Sequence, residues 1–179
     1  INAKDEILIS AGSKPLIYMA LLAILNKNEE VLVFEPAWLS YAEQIKLAGG
    51  KEKYIHYNDS VSKVEKMISS KTKAIIINNP NNPAGKYYSK SEIRELILIA
   101  KRKKVWVIID EAYSDFMEKK FYSAFNFSKL YSNIIVINSL SKNFGISGWR
   151  IGYAISNSNF ISNLLKLNQH LITCAPSIL

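Results

Sequence analysis

Short segments rich in apolar residues recur along the chain and alternate with longer segments whose apolar positions follow a helical period. The short segments predict seven β-strands, at residues 7–9, 31–34, 53–57, 74–77, 105–109, 134–137 and 151–155. The longer segments predict helices at residues 16–25, 38–48, 61–68, 89–103 and 157–170. This alternation is typical of β-α-β units, so it predicts an α/β domain with a mostly parallel sheet.

The last strand breaks the parallel pattern. About thirteen residues separate segments 134–137 and 151–155, and they contain glycines instead of a long apolar helix. A parallel crossover needs a dozen or more residues and usually a helix, so we predict that the last strand is antiparallel. The predicted fold is a three-layer α-β-α sandwich around a seven-stranded sheet. The aromatic-rich residues 114–133 are predicted to be irregular, with some helix.

Length and composition narrow the class of protein. With 179 residues, 49% of them hydrophobic, the chain can form one domain with a substantial core. Its apolar runs are shorter than a transmembrane helix requires, and it lacks a signal segment. The single cysteine, Cys174, rules out an internal disulfide, and with only His56 and His170 beside it no metal site is predicted. We expect a cytoplasmic protein that does not bind a membrane.

The basic charge of the chain does not predict a nucleic-acid partner. The net charge of +8 comes mostly from scattered lysines, with one cluster at residues 101–104. That cluster closes a predicted helix, where cations complement the negative end of the helix dipole. The chain has neither an RNA-binding aromatic signature nor zinc-finger spacing, so we expect no nucleic acid.

Residues 138–153 carry the most distinctive chemistry. Ser139 and Ser141 precede Lys142 by three residues and by one, and Arg150 follows it by eight. Two hydroxyls and a guanidinium near one amine suit a phosphate dianion, and a lysine beside a phosphate anchor can form a Schiff base with a carbonyl. The alternative is a loop lysine followed by an arginine that pairs with a carboxylate.

Other polar or aromatic residues follow the ends of predicted strands, where ligands bind in open α/β sheets. Residues 12–14 precede a helix, whose N-terminal N–H groups can bind an anion. Trp38 and Asn82 follow further strands, and Asp110 and Tyr113 follow a fully apolar one. Structural alternatives remain for all of them except Tyr113: a turn that binds nothing, a core tryptophan, a rigid Asn-Pro loop and an aspartate that caps a turn.

Four motifs together resemble those of the pyridoxal-phosphate (PLP) enzymes of the aminotransferase class I/II family, which has the aspartate aminotransferase fold (fold type I). They are S-x-S-K-x-x-x-x-x-G-x-R at 139–150, D-E-A-Y at 110–113, P-x-W-x-x-Y at 36–41 and N-P-A-G at 82–85. The family commonly has threonine where this chain has Ala84. The resemblance covers nearly the whole chain.

The resemblance implies a role for each candidate residue. Lys142 would form the Schiff base with PLP, and Asp110 and Tyr113 would act in catalysis beside it. Asp110 would bind the ring nitrogen, Asn82 and Tyr113 the phenolic oxygen, and Trp38 would stack on the ring. The phosphate would be held by Gly12, Ser13, Lys14, Ser139, Ser141 and Arg150.

The implied reaction is transfer of an amino group between an L-amino acid and a 2-oxo acid by a homodimer, with residues 114–133 and 173–176 as candidate dimer contacts. Alternatives are another fold-type I reaction (β-elimination, decarboxylation or a synthase reaction) or an inactive fragment. The family has an N-terminal segment and a C-terminal small domain, which are absent here. We therefore expect residues 1–179 to be the PLP-binding large domain, which should associate and not transaminate in isolation.

Overall fold

A computed structural model describes residues 1–117 and 121–176. The part of the predicted irregular segment at residues 118–120 lies outside the described residues, as do residues 177–179. The described chain forms one seven-stranded sheet. Its strands are β1 (Ile7–Ser10), β2 (Glu30–Glu35), β3 (Lys51–His56), β4 (Thr72–Asn78), β5 (Trp106–Asp110), β6 (Ile134–Ser139) and β7 (Gly152–Ile155).

The strand order is β1-β7-β6-β5-β4-β2-β3. Strands β2 to β6 pair in parallel, whereas β7 is antiparallel to both of its neighbours, β6 and β1. The prediction of an antiparallel last strand is therefore confirmed. In the register, Gly152 lies opposite both Ser10 and Ser139, so the ends of β1 and β6 meet on either side of this glycine.

Helices cover both faces of the sheet, which confirms the predicted three-layer sandwich. The helices are α1 (Ser13–Ile24), α2 (Ser40–Leu47), α3 (Lys63–Met67), α4 (Lys90–Lys103), α5 (Leu140–Asn143) and α6 (Ser158–Leu171). α1, α2 and α6 pack on one face, and α3 and α4 on the other. Among the described helices, none has both the length and the apolar character needed to cross a bilayer.

The central strands are buried on both faces, which explains their uninterrupted apolar runs. In β5, Ile108 belongs to the core beneath α1 and α6, and the adjacent Ile109 belongs to the core beneath α4. Both side chains are fully buried. Burying a side chain of this size stabilises the fold by roughly 1.5–3 kcal/mol.

Three local features differ from the predictions. The helix predicted at 61–68 is limited to one turn, Lys63–Met67, because Ile68 is already extended. The helix predicted from residue 38 begins at Ser40, which leaves Trp38 in the turn before it. Lys142 lies on the one-turn helix α5, where a loop was predicted. The Ser139 hydroxyl accepts a hydrogen bond from the Ser141 N–H and so caps this turn.

The helix predicted at 89–103 has the expected capping box. The Ser89 hydroxyl accepts from the Glu92 N–H, while the Glu92 carboxylate accepts from the Ser89 N–H. The described part of segment 114–133 contains two short 3-10 helices, Ser114–Phe116 and Ala124–Phe127, as predicted. The carboxyl ends of β1, β2, β4, β5 and β6 all lie at one edge of the sheet, because β1 and β6 are both antiparallel to β7 and the other strands are parallel to β6.

Candidate functional site

A cavity of about 220 Å³ opens at this carboxyl edge. It is lined by Ser13, Trp38, Tyr41, Asn78, Asn82, Asp110, Ala112, Tyr113, Ser139 and Lys142. Seven of these ten were predicted as site residues; Tyr41, Asn78 and Ala112 were not. Four predicted residues, Gly12, Lys14, Ser141 and Arg150, do not line the cavity and lie in the segments beside it. The sheet thus brings together residues that are far apart in the sequence.

Asp110 is the buried acid of the cavity. It ends β5 and is 5% exposed. Its Oδ2 accepts a hydrogen bond from the Tyr41 hydroxyl at 2.7 Å, and its Oδ1 accepts from the Ala112 N–H at 3.0 Å. Burial raises the pKa of Asp110, while these two hydrogen bonds act in the opposite direction. Within residues 1–117 and 121–176, no lysine, arginine or histidine forms a salt bridge with it.

An amide and a phenol form one wall of the cavity. The Asn82 side-chain amide donates to the Tyr113 hydroxyl at 3.1 Å. Asn78 fixes the position of this pair, because its Oδ1 accepts from the Asn82 backbone N–H at 2.6 Å and its Nδ2 donates to the Asp110 carbonyl at 2.9 Å. The Asn-Pro loop is therefore attached to β5. Asn78 was not predicted as a site residue, although it is the last residue of β4.

Lys142 provides the amine of the cavity. Its side chain is exposed, and its Nζ lies 6.0 Å from the centre of the Tyr113 ring. The amine thus faces the same space as the Asn82–Tyr113 pair. The capped turn of α5, which follows directly on β6, sets the direction in which Lys142 leaves the sheet.

A cationic corner adjoins the cavity where the loop after β1 meets the segment before β7. The Arg150 guanidinium lies against Gly12 so closely that a Cβ on this glycine would be 2.6 Å from Nη2. Its Nη1 donates to the Ser147 carbonyl at 3.0 Å and makes a long, 3.4 Å contact with the Ser141 hydroxyl. In the part of the chain that the structure describes, Arg150 pairs with no carboxylate. The alternative of a structural ion pair is therefore not seen.

Gly152 allows β7 to approach the backbone of Gly12 and Ser13 at this cationic corner, and it was not predicted as a site residue. A Cβ at residue 152 would be 2.5 Å from both the Gly12 carbonyl carbon and the Ser13 nitrogen. These are backbone atoms, which cannot move aside as a flexible side chain can. Glycine in a strand often marks such a close backbone approach, and this was the signal available in the sequence.

Trp38 lines the cavity and also packs against the core that includes α1. Its ring meets the Tyr41 ring edge to face, with centroids 5.4 Å apart. The Lys14 Nζ lies 4.9 Å from the centre of the Trp38 ring, so this side chain extends over the tryptophan. A direct role for Lys14 at a phosphate stays a prediction. Tyr41 is the tyrosine of the P-x-W-x-x-Y motif, and no role was predicted for it.

These groups have a defined spatial order. A buried carboxyl lies on the floor, an amide–phenol pair forms one wall, an amine faces that wall, and a guanidinium with backbone N–H groups lies at one side. The arrangement suits a flat ligand that presents a cationic group to Asp110 and an anionic group to the Gly12–Arg150 corner.

Comparisons with known proteins all indicate the same family. The model of the family described as "Aminotransferase class I and II" matches residues 1–179. The chain is 35% identical to the aspartate aminotransferase of Sulfurisphaera tokodaii, over 97% of this chain and 46% of that protein. It is 38% identical to a (5-formylfuran-3-yl)methyl phosphate transaminase of Methanocaldococcus jannaschii, over 97% of this chain and 46% of that protein.

Solved structures show the same relationship. The aromatic aminotransferase of Pyrococcus horikoshii superimposes with a TM-score of 0.91 at 32% identity, covering 97% of this chain and 48% of that one. The chain thus spans about half the length of the relatives it matches. These relatives bear names that refer to three different substrates.

Proposed function

Because the chain belongs to the family of class I and II aminotransferases, we propose that the full-length protein is a transaminase that moves an amino group between an amino acid and a 2-oxo acid. Enzymes of this family depend on PLP, which is therefore the expected cofactor. The observation that carries the proposal is the single cavity that Lys142, Asp110, Asn82 and Tyr113 share.

The residues present fit PLP. Asp110 is a buried carboxyl whose hydrogen-bond partners are a phenol and an N–H, and it forms no salt bridge within the described residues. A buried carboxylate is costly without a cationic partner, and a protonated ring nitrogen would be one. At the other end, Gly12 leaves open the space beside Arg150 that a Cβ would fill. A phosphate suits this corner because the guanidinium offers a rigid fork of donors.

When bound, PLP supplies an aldehyde for the amine and a ring that takes up the electron pair of the bond broken at the substrate Cα. We propose that Lys142 binds this aldehyde and, once an incoming amine has released it, moves the proton at Cα. Asp110 holds a proton at the ring nitrogen. Asn82 and Tyr113 orient the phenolic oxygen, and Trp38 fixes the plane of the ring.

We propose that the phosphate is held by two groups of residues. The backbone N–H groups at Gly12, Ser13 and Lys14 come from the start of α1, and the other contacts come from Ser139, Ser141 and Arg150. The structure supports Ser13 and Ser139 most directly, because both line the cavity. Ser141 would act together with Arg150, which it contacts.

Residues 1–179 are proposed to be the cofactor-binding large domain of a homodimeric, cytoplasmic protein. The domain proposal is supported by the coverage of about half of each relative. Phe116, in one of the segments predicted as dimer contacts, is 65% exposed and so is accessible to a partner subunit. A single cysteine, Cys174, is consistent with a reducing compartment.

The experiment uses the full-length protein and follows bound cofactor spectroscopically through two separate half-reactions. We expect an amino acid alone to convert PLP to its amine form in a single turnover, and a 2-oxo acid alone to reverse the change. The donors tested include aspartate and an aromatic amino acid, because relatives are named for both. Release of ammonia or carbon dioxide without an oxo-acid requirement would contradict amino transfer and favour an elimination or a decarboxylation.

A further inference from the structure

Tyr41 is a buried phenol that contacts the acid of the cavity, Asp110. It lies in the first turn of α2, is 2% exposed, and donates its hydroxyl to Asp110 Oδ2 at 2.7 Å. We propose that Tyr41 is a positioning residue that keeps Asp110 ionised, and so places the proton shared by Asp110 and the cofactor on the ring nitrogen. This inference rests on the proposed function.

The geometry gives Tyr41 this role because it leaves Asp110 few other stabilising partners. One carboxylate oxygen accepts from Ala112 and the other from Tyr41. Burial raises the pKa of Asp110 and so favours the neutral acid, and of the two hydrogen bonds that oppose this shift the one from Tyr41, at 2.7 Å, is the shorter. Hydrogen bonds from a hydroxyl to a carboxylate are among the strong ones in proteins.

The Tyr41 phenol stays protonated and is therefore available as a donor. Burial and the adjacent Asp110 raise the pKa of Tyr41 well above its ordinary value, so the hydroxyl keeps the proton that it donates to Asp110 Oδ2. A donor at Oδ2 stabilises the carboxylate and not the carboxylic acid. The state in which Asp110 is charged and the ring nitrogen protonated is therefore favoured over the state in which both are neutral.

Other titratable groups surround Asp110, and the test must keep them constant. Tyr113 and Lys142 line the same cavity. Glu111 interacts with Asp110 from the neighbouring position of the chain, and Tyr113 also interacts with Tyr41. Replacing the Tyr41 hydroxyl alone leaves all of these groups in place, so Tyr41→Phe isolates its hydrogen bond.

Tyr88→Phe is the matched control. Tyr88 is fully buried like Tyr41, and its hydroxyl has no hydrogen-bond partner among the described residues. Its ring packs edge to face on Phe34, away from the cavity lining. Both substitutions remove one buried hydroxyl, but only Tyr41→Phe removes a donor to Asp110.

The first measurement is an NMR pH titration of the full-length apoprotein, labelled with ¹³C at its aspartate side chains. The Asp110→Asn variant identifies the signal of Asp110. We expect Tyr41→Phe to raise the pKa of Asp110 by roughly one to two pH units, the equivalent of one hydrogen bond to a charged group. Tyr88→Phe should leave it unchanged. An unchanged pKa of Asp110 in Tyr41→Phe would overturn the inference.

The second measurement uses ¹⁵N-labelled PLP, whose ring-nitrogen chemical shift reports protonation. We expect a protonated nitrogen in the wild type and in Tyr88→Phe, and a smaller protonated fraction at neutral pH in Tyr41→Phe. Equal protonation in all three proteins would overturn the inference while leaving the proposed function intact. If the wild type bound no PLP, the proposed function would fail, and the apoprotein titration would still decide whether Tyr41 keeps Asp110 ionised.

Discussion

Gly12→Ala tests the cationic corner, because the structure predicts two separate effects of one methyl group. Gly12 has φ 97° and ψ 172°, a conformation that is essentially restricted to glycine. Placing alanine there should destabilise the fold by about 1–3 kcal/mol. The new Cβ would also lie 2.6 Å from Arg150 Nη2, so the flexible guanidinium must move away from the loop.

The second effect concerns the cofactor. If Arg150 binds the phosphate, moving it should remove about one hydrogen bond between charged groups, worth roughly 1.5–3 kcal/mol. This corresponds to an increase in the dissociation constant of PLP of between about tenfold and about a hundredfold. The assay is a fluorescence titration of the full-length apoprotein with PLP, together with denaturant unfolding of the same sample.

Gly49→Ala is the matched control. Gly49 also has a positive φ, 82°, but its Cβ would meet only the Lys27 Cα at an ordinary 3.7 Å, beyond the end of α2. We expect this variant to lose about 1–2 kcal/mol of stability and to bind PLP normally. Normal PLP binding by Gly12→Ala, at a stability similar to that of Gly49→Ala, would show that Arg150 is not a phosphate ligand.

Two further predictions concern the two adjacent acids. Asp110→Asn should lower turnover of the full-length enzyme by several orders of magnitude while PLP occupancy changes little. The substitution removes the charge that holds the proton on the ring nitrogen and leaves the phosphate contacts in place. Turnover is measured by steady-state kinetics and occupancy by absorbance, and parallel losses of both would show that Asp110 is structural. Burial raises the pKa of Glu111 to about 7 from an ordinary value of 4.5, so its contribution to stability is full below pH 4.5 and is lost as the pH rises to about 7. In the wild type, the unfolding free energy should therefore fall by up to about 3 kcal/mol across that interval because of Glu111, and Glu111→Gln should remove this fall. The measurement is urea unfolding at a series of pH values. If the unfolding free energies of the wild type and of Glu111→Gln depend on pH in the same way, Glu111 titrates normally.

Much of the fold could be predicted because its strands are buried on both faces. Such strands appear in the sequence as short apolar runs, as with Ile108 and Ile109. The antiparallel direction of β7 followed from the short connection before it. The helix at 61–68 was overestimated, since its apolar spacing continues past the point where Ile68 becomes extended.

The candidate site could be predicted only in part. Asn82, Asp110 and Lys142 lie at or shortly after the carboxyl ends of parallel strands, so the parallel arrangement alone predicts that they meet. The Tyr41–Asp110 hydrogen bond joins residues 69 positions apart, and it depends on how α2 packs against the sheet. The close approach of Gly152 to Gly12 likewise depends on tertiary structure, because it results from the pairing of β1 with β7.

Borohydride reduction of the full-length protein with bound PLP, followed by peptide mapping, identifies the lysine that binds the cofactor. We expect one labelled residue, Lys142, because it is the lysine that lines the cavity, with Tyr113 and Asn82, among the described residues. Lys142→Ala should abolish the label and leave the protein folded. A label on another lysine, such as nearby Lys14, or no label on a well-folded sample, would show that Lys142 does not form a Schiff base with PLP.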